Sequence, residues 1–417
     1  MELAERLSAL CRQGAGDEEV SAAAGALLGM LDGMPAGEVV PLLEKLLSGT
    51  RSRLARAPQL LDLVERLGDL VVAHSGELST LQLTSALNWF AVVGLPYHLL
   101  FEAVLLEVLE RHRSQGVSWG QVVGVLEAFA AVRLRIPELA ELYGRIRQPR
   151  ELARLPTMAL VRLLSAAARL GLADEARGDV REIMDRVLAE TTPQRPLPLD
   201  SSALLVQSLL LSGTALPDRQ LRHLLAWVSG ARMPQLTQQQ LAILRQYSLF
   251  LLAQPDEHGR GSLLRLPVEV QRFASGLLRH RAPAWAPPNS DTTRRLRREV
   301  GHLLTPASGQ DGAAGACSEM DLSLGPAGMV DLRIGDACWL LDGPEAFFRP
   351  FTAGLQRTPQ EERRAWLLAR LLGDSDVRQC VADFFPPAAA WPQLAGPRRL
   401  HWLEWGRTPA AARRGLL

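Results

Sequence analysis

The stretch Thr84-Ser-Ala-Leu-Asn-Trp-Phe-Ala-Val-Val-Gly-Leu95 decides the fold, because its plan returns three more times. Val122-Val-Gly-Val-Leu-Glu-Ala-Phe-Ala-Ala-Val-Arg-Leu134, Leu160-Val-Arg-Leu-Leu-Ser-Ala-Ala-Ala-Arg-Leu-Gly-Leu172 and Ser201-Ser-Ala-Leu-Leu-Val-Gln-Ser-Leu-Leu-Leu-Ser-Gly-Thr-Ala-Leu216 repeat it. Each is an apolar helix with small residues along it, a glycine or short polar break near its end, and a second helix beyond. The closing leucines at 95, 134, 172 and 216 lie 39, 38 and 44 residues apart, and weaker copies occur at Val39–Leu47 and Leu241–Ala253. Small residues let paired helices approach closely, and a two-helix unit cannot bury its apolar face alone, so such units stack. Apolar residues at i, i+3, i+4 and i+7 continue to about residue 280, with no period-two run. The spacing predicts a mainly α chain with an α-solenoid of helix pairs over residues 1–280. The plainer alternative is an irregular helical domain with coincidental spacing.

Charge and composition exclude several classes. The 417 residues carry 46 Lys+Arg against 45 Asp+Glu, a net charge of +1, and Lys45 is the single lysine. No global field marks a nucleic-acid or membrane binder, so any basic site is local and built from guanidinium groups. Hydrophobic residues at 47% exclude wholesale disorder. Cys11, Cys317, Cys338 and Cys380 form no CxxC and stand in no finger spacing with histidine, which argues against a disulfide scaffold and a zinc site. No apolar run reaches the roughly 20 residues of a membrane span. The start, Met1-Glu-Leu-Ala-Glu-Arg6, is acidic and helical, unlike a secretory or transit signal; either no presequence is needed or the chain begins after one.

Composition changes near residue 281. Residues 281–317 read as a Pro/Gly-rich linker holding the basic helix Thr292-Thr-Arg-Arg-Leu-Arg-Arg-Glu-Val-Gly-His-Leu-Leu304. Beyond it, Met320–Leu324, Met329–Ile334 and Ala337–Leu341 are strand-like runs separated by short glycine-containing breaks, which predicts hairpins. A helix follows over Pro359–Leu372, then a strand candidate at Val377–Phe385. Ala388–Ala395 and Arg398–Trp405 read as a helical end. Residues 318–405 are thus a small α/β module, and 406–417 a basic tail.

That module resembles the RAP domain. The resemblance rests on Met329-Val-Asp-Leu-Arg-Ile334, on Trp339-Leu-Leu-Asp-Gly-Pro-Glu-Ala-Phe-Phe348, on the helix with Arg363-Arg-Ala-Trp-Leu-Leu368, and on Trp391-Pro-Gln-Leu394. It implies a restriction-endonuclease-like α/β fold in which Asp331, Asp342, Gly343, Pro344 and Trp391 are structural motif residues. It also implies a helical repeat array ahead of the module, as in FAST-kinase-like and octotricopeptide-like proteins. Such proteins act in mitochondria or plastids on organellar RNA, and some are ribosomal components. A nuclease of this fold needs an acid on each of two neighbouring strands and a lysine. Here Asp331 is one acid, Leu340 stands where some relatives carry the second, and no lysine follows Lys45.

The candidate RNA contacts follow from these readings. Arg294, Arg295, Arg297 and Arg298 crowd four guanidinium groups onto about one helical turn, which phosphates would neutralise; a solvated linker helix is the other reading. Arg349 stands beside Phe347 and Phe348, suited to a phosphate with a stacked base, although such aromatics are more often core. Arg363 and Arg364 follow Glu361 and Glu362, which can satisfy them locally. Arg398 and Arg399 open a basic C-terminal end. Two further clusters, Arg51, Arg53 and Arg56, and Arg145, Arg147, Arg150 and Arg154, lie between helices of the array. Residues 1–259 nevertheless hold 25 bases against 29 acids, so much of the array is free to face protein. No phosphate loop, triad or metal spacing is present, so no catalytic residue, metal or cofactor is expected. The expected function is non-catalytic RNA binding in a mitochondrion (or plastid). The expected setting is an organellar ribosome, with rRNA and ribosomal or other organellar proteins as partners and no membrane span. The alternatives are a free RNA processing, stability or translation factor acting on an organellar transcript, a protein–protein scaffold, and a metal-dependent nuclease using Asp331.

Overall fold

The computed structural model describes residues 2–31, 33–50, 54, 57–114, 116–172, 177–191, 197–214, 216, 219–222, 224, 235–254, 262–279, 318–323, 329–334, 337–342, 358–373 and 399–404. The chain forms two compact units, Met1–Leu172 and Ala173–Leu417.

The first unit is a run of helices: α1 (Glu2–Gln13), α2 (Asp17–Leu28), α3 (Ala36–Thr50), α4 (Pro58–Ala73), α5 (Thr80–Val93), α6 (His98–Ser114), α7 (Trp119–Val132), α8 (Glu138–Ile146), the single turn α9 (Pro149–Leu152) and α10 (Thr157–Arg169). Contacts follow alternate helices. One layer stacks α1, α3, α5, α7 and α10 in succession, and the other stacks α2, α4, α6 and α8. This is the repeat-like helical architecture that the spacing predicts. The two layers meet on fully buried leucine, valine and phenylalanine. Among these, Phe101 of α6 and Phe129 of α7 pack edge to face with ring centroids 5.0 Å apart.

The repeat has a cap chemistry of its own. Ser79 and Ser118 open α5 and α7 with capping boxes, in which the hydroxyl accepts from the backbone of Gln82 or Gln121 and that glutamine accepts from the serine backbone. The other ends close through a left-handed residue at Gly94, Arg133 and Gly171. The next amide, from Leu95, Leu134 or Leu172, donates back to the carbonyl of Phe90, Phe129 or Ala167 at 2.9, 3.1 and 2.9 Å. Three of the four closing leucines of the sequence pattern, Leu95, Leu134 and Leu172, are therefore the residues that tie off their helices. Between successive repeats, Arg162 of α10 donates through Nε to Glu127 of α7 at 2.8 Å, and Arg169 donates to the Ala130 carbonyl at 3.0 Å. Arg111, only 12% exposed, holds the α4–α5 connection by donating to the carbonyls of Ser75 and Leu78 while paired with Glu107 at 2.7 Å.

Two helical glycines respond oppositely to a methyl group. A Cβ on Gly124 would sit 3.8 Å from Asn88 Nδ2, in ordinary contact, whereas one on Gly68 would lie 2.9 Å from the Tyr97 ring and 3.1 Å from Phe90. Gly124→Ala is expected to stabilise by about 0.5–1 kcal/mol through reduced backbone entropy. Gly68→Ala is expected to lose that gain and more, a net destabilisation of about 1 kcal/mol from overpacking. Urea midpoints of the two variants check both signs.

The second unit contains α11 (Arg177–Glu190), α12 (Leu199–Ser212), α13 (Gln238–Ala253), a 3-10 turn at Ser262–Arg265, and α14 (Val268–Arg279). The cap pattern persists: Gly213 is left-handed after α12, and Thr237 forms a capping box with Gln240 ahead of α13. Measured at the structural caps Gly171 and Gly213, the spacing is 42 residues, not the 44 read from Leu216, because Thr214 takes the tying-off place (Thr214 amide to Leu209 carbonyl, 3.2 Å).

Beyond the helices, β1 (Ser318–Ser323), β2 (Met329–Ile334), β3 (Ala337–Asp342) and β4 (Arg399–Glu404) form one sheet in the order β1-β2-β3-β4, and α15 (Pro359–Gly373) lies between β3 and β4 in sequence. The first three strands are an antiparallel meander, with Met320 opposite Leu332 and Leu332 opposite Trp339. β4 runs parallel to β3, with Leu340 opposite Trp402. A helix between two parallel strands is the usual crossover, which needs a dozen or more residues.

Arg398–Trp405 reads in sequence as part of a helical end, but Arg399–Glu404 is a strand. Six residues are too few to nucleate a stable helix, and the outer edge of β3 offers the same residues a full ladder of partners. The strand and helix candidates at 377–385 and 388–395, the linker 281–317 and the tail 406–417 lie outside the described residues.

Candidate nucleic-acid interface

The arginines singled out by sequence divide into three groups. Arg51, Arg53, Arg56, Arg294, Arg295, Arg297, Arg298, Arg349 and Arg398 lie outside the described residues, as do the motif residues Gly343, Pro344 and Trp391. Arg399 is the first residue of β4, in register with Ala337. Arg363, Arg364 and the cluster at 145–154 are placed in full.

Arg363 and Arg364 do not stand on an open face. They sit on α15, which packs on α12 and α13. The Arg363 guanidinium lies over Phe250 and Trp366, 5.3 and 5.4 Å from the ring centroids, and against Gly213, where a Cβ would fall 2.8 Å from Cζ. Arg364 is 6% exposed and pairs with Glu361 at 3.2 Å. Both arginines therefore serve an internal junction in this arrangement. The local Glu–Arg pairing expected from the sequence is realised for Arg364. A cavity of about 20 Å³ remains beside them, lined by Leu210, Leu211, Gln246, Gln360 and Leu367, with room for about one water.

The connection from α7 to α10 has the opposite character. Between residues 133 and 154 it carries six arginines (Arg133, Arg135, Arg145, Arg147, Arg150 and Arg154) against three glutamates, Glu138, Glu141 and Glu151. Arg133 is the left-handed cap of α7 and, among the described residues, the one non-glycine with positive φ (57°). Its counterparts in neighbouring repeats are Gly94, Gly171 and Gly213, so an arginine is held there at a conformational cost of about 1 kcal/mol. Arg145 and Arg147 end α8, where a helix terminus favours cations. Arg150 on α9 is exposed, and the Arg154 side chain is 70% exposed with Glu151 3.2 Å away. Glu141 is shared by Arg113 at 2.7 Å and Arg145 at 2.5 Å, and these bonds hold its carboxyl below the usual carboxylate range. His112, edge-on to Trp119, titrates below the ordinary histidine range because of burial and then of the Arg145 charge. The sequence marks the cluster from 145 to 154 but not Arg133 and Arg135, because the left-handed φ that sets Arg133 apart is a backbone property that spacing does not reveal.

On the sheet, Asp331 lies on β2 and Asp342 ends β3. The antiparallel pairing of Leu332 with Trp339, extended one step, sets Asp331 opposite Leu340, so no second acid stands there. On its other side the register sets Asp331 opposite Asp321 of β1, a residue the sequence reading does not single out. Among the described residues, no three His, Cys, Asp or Glu side chains gather as metal ligands, and no helix is long and apolar enough to cross a membrane. No family model matches the chain, and no curated protein matches it in sequence.

Proposed function

We propose that this is a non-catalytic RNA-binding protein of an organelle, an α-solenoid followed by a RAP-like α/β module, working within or beside a mitochondrial (or plastid) ribosome. The observation that carries the reading is the arginine-rich α7–α10 connection, with exposed Arg150 and Arg154 at its end and Arg133 replacing glycine at a repeat cap. Guanidinium groups suit phosphate oxygens, and an array of stacked helix pairs offers a long edge on which a strand can lie. The meander, the helix and the parallel fourth strand support the α/β module that the family resemblance implies. The slightly acidic first 259 residues leave other surfaces for protein, which favours a ribosomal setting over a free transcript factor.

Sedimentation of native extract with and without RNase tests this reading. Co-migration with a ribosomal particle, with rRNA crosslinks in 133–154 and 294–298, is the expected result. A light, RNase-insensitive complex without crosslinks would instead make the protein a scaffold, a reading favoured by the internal seats of Arg363 and Arg364. For purified protein, Arg150→Gln/Arg154→Gln is expected to reduce the slope of log K against log salt by about one to two for single-stranded RNA, uniformly across sequences. An unchanged slope would remove these arginines from the interface. Metal-dependent cleavage lost on Asp331→Asn is the signature of the nuclease alternative.

A further inference from the structure

The outer side of α4 and α6 has a composition that neither RNA nor the repeat core explains. Leu99 and Leu106 of α6 are 59% and 49% exposed and lie seven residues apart, so one stripe of the helix carries both. Glu102 stands between them on that stripe, its side chain 47% exposed and its carboxylate 3.5 Å from His98 Nδ1, one turn back. The neighbouring helix α4 presents Asp62, Glu65 and Arg66 as exposed residues and Asp69 as a half-buried one. Tyr97 donates its hydroxyl to Asp69 at 2.5 Å, which ties the start of α6 to α4. The cations nearby are already engaged. Arg66 lies 3.8 Å from Asp69, and Arg113 at the far end is held between Glu110 and Glu141 at 3.3 and 2.7 Å. An apolar pair bordered by carboxylates is complementary to a helix with apolar residues on one stripe and cations beside it. A phosphate backbone would meet Asp62, Glu65 and Glu102 instead.

We propose that this α4–α6 face docks a basic amphipathic helix of a partner protein, its apolar residues seated on Leu99 and Leu106 and its cations among Asp62, Glu65 and Glu102. Its residues are distinct from the arginines of the α7–α10 connection, so each set can be substituted without touching the other.

Fluorescence anisotropy of the full chain tests this with a labelled synthetic helix that has leucines at i and i+7 and arginines on the flanking positions. A counterpart with glutamate in place of arginine is the control. The arginine peptide is expected to bind, more weakly as salt rises, and the glutamate peptide not to bind. Leu99→Ser/Leu106→Ser and, separately, Glu65→Gln/Glu102→Gln are each expected to weaken binding on the order of tenfold. Because all four side chains are substantially exposed, both variants should keep the parent melting curve and the parent RNA affinity. Absence of binding, parent-level binding by either variant, or crosslinking of a uridine oligonucleotide to this stripe would overturn the proposal.

Discussion

Gly213→Ala is expected to lower the stability of the second unit by about 2–3 kcal/mol and to loosen α15 from the helices beneath it. Two costs add at this position. The backbone has φ of 63°, where an L side chain costs about 1–2 kcal/mol. The new Cβ would also occupy the place of the Arg363 guanidinium, displacing it from the faces of Phe250 and Trp366, a loss of about 1 kcal/mol. Hydrogen exchange along 359–373 and a urea melt followed by tryptophan emission measure the two parts. The decisive comparison is a double-mutant cycle with Arg363→Ala. If the guanidinium is what the methyl displaces, the paired variant loses clearly less than the sum of the singles. Strict additivity would mean that Arg363 does not depend on Gly213 for its seat.

Phe129→Ala is expected to cost about 3–5 kcal/mol in the first unit, the largest effect of any single substitution considered. The ring is fully buried, and its edge-to-face contact with Phe101 joins the two helical layers at the middle of the array. Repeat arrays hold together through contacts between neighbours, so a cavity here also divides the stack. The urea transition should move to lower concentration and broaden. Leu99→Ala, at an exposed site on α6, is the control and should fall within about 0.5 kcal/mol of the parent. A Phe129→Ala variant that melts like this control would show that the layers are joined elsewhere.

The same two junctions show how unevenly the chain is legible. The repeat was readable because its signal is local. An apolar stripe with small residues and a break near its end recurs about every 40 residues, and each records a demand of one helix and its immediate neighbours. The three strands of the meander were readable for the same reason, since short apolar runs and glycine breaks mark a hairpin within a few residues. Arg399–Glu404 was not, because its strand state depends on the free edge of β3, more than fifty residues earlier.

Charge follows the same division. Runs of arginine are visible in any sequence, but sequence spacing does not distinguish a guanidinium facing solvent from one stacked on rings. Arg154 and Arg364 each follow a glutamate by three residues, yet the first side chain is 70% exposed and the second 4%. The difference is made by what approaches from a distance: helices α12 and α13 pack against α15, whereas Arg154 follows the short turn α9 on an exposed stretch. The sequence by itself determined the helical repeat, its period, the hairpins and the absence of a phosphate loop or ligand spacing, all of which depend on residues close in the chain. Only the tertiary structure decided the last strand, the seat of Arg363 and the exposure of Leu99 and Leu106 on α6, because each depends on segments brought together by burial.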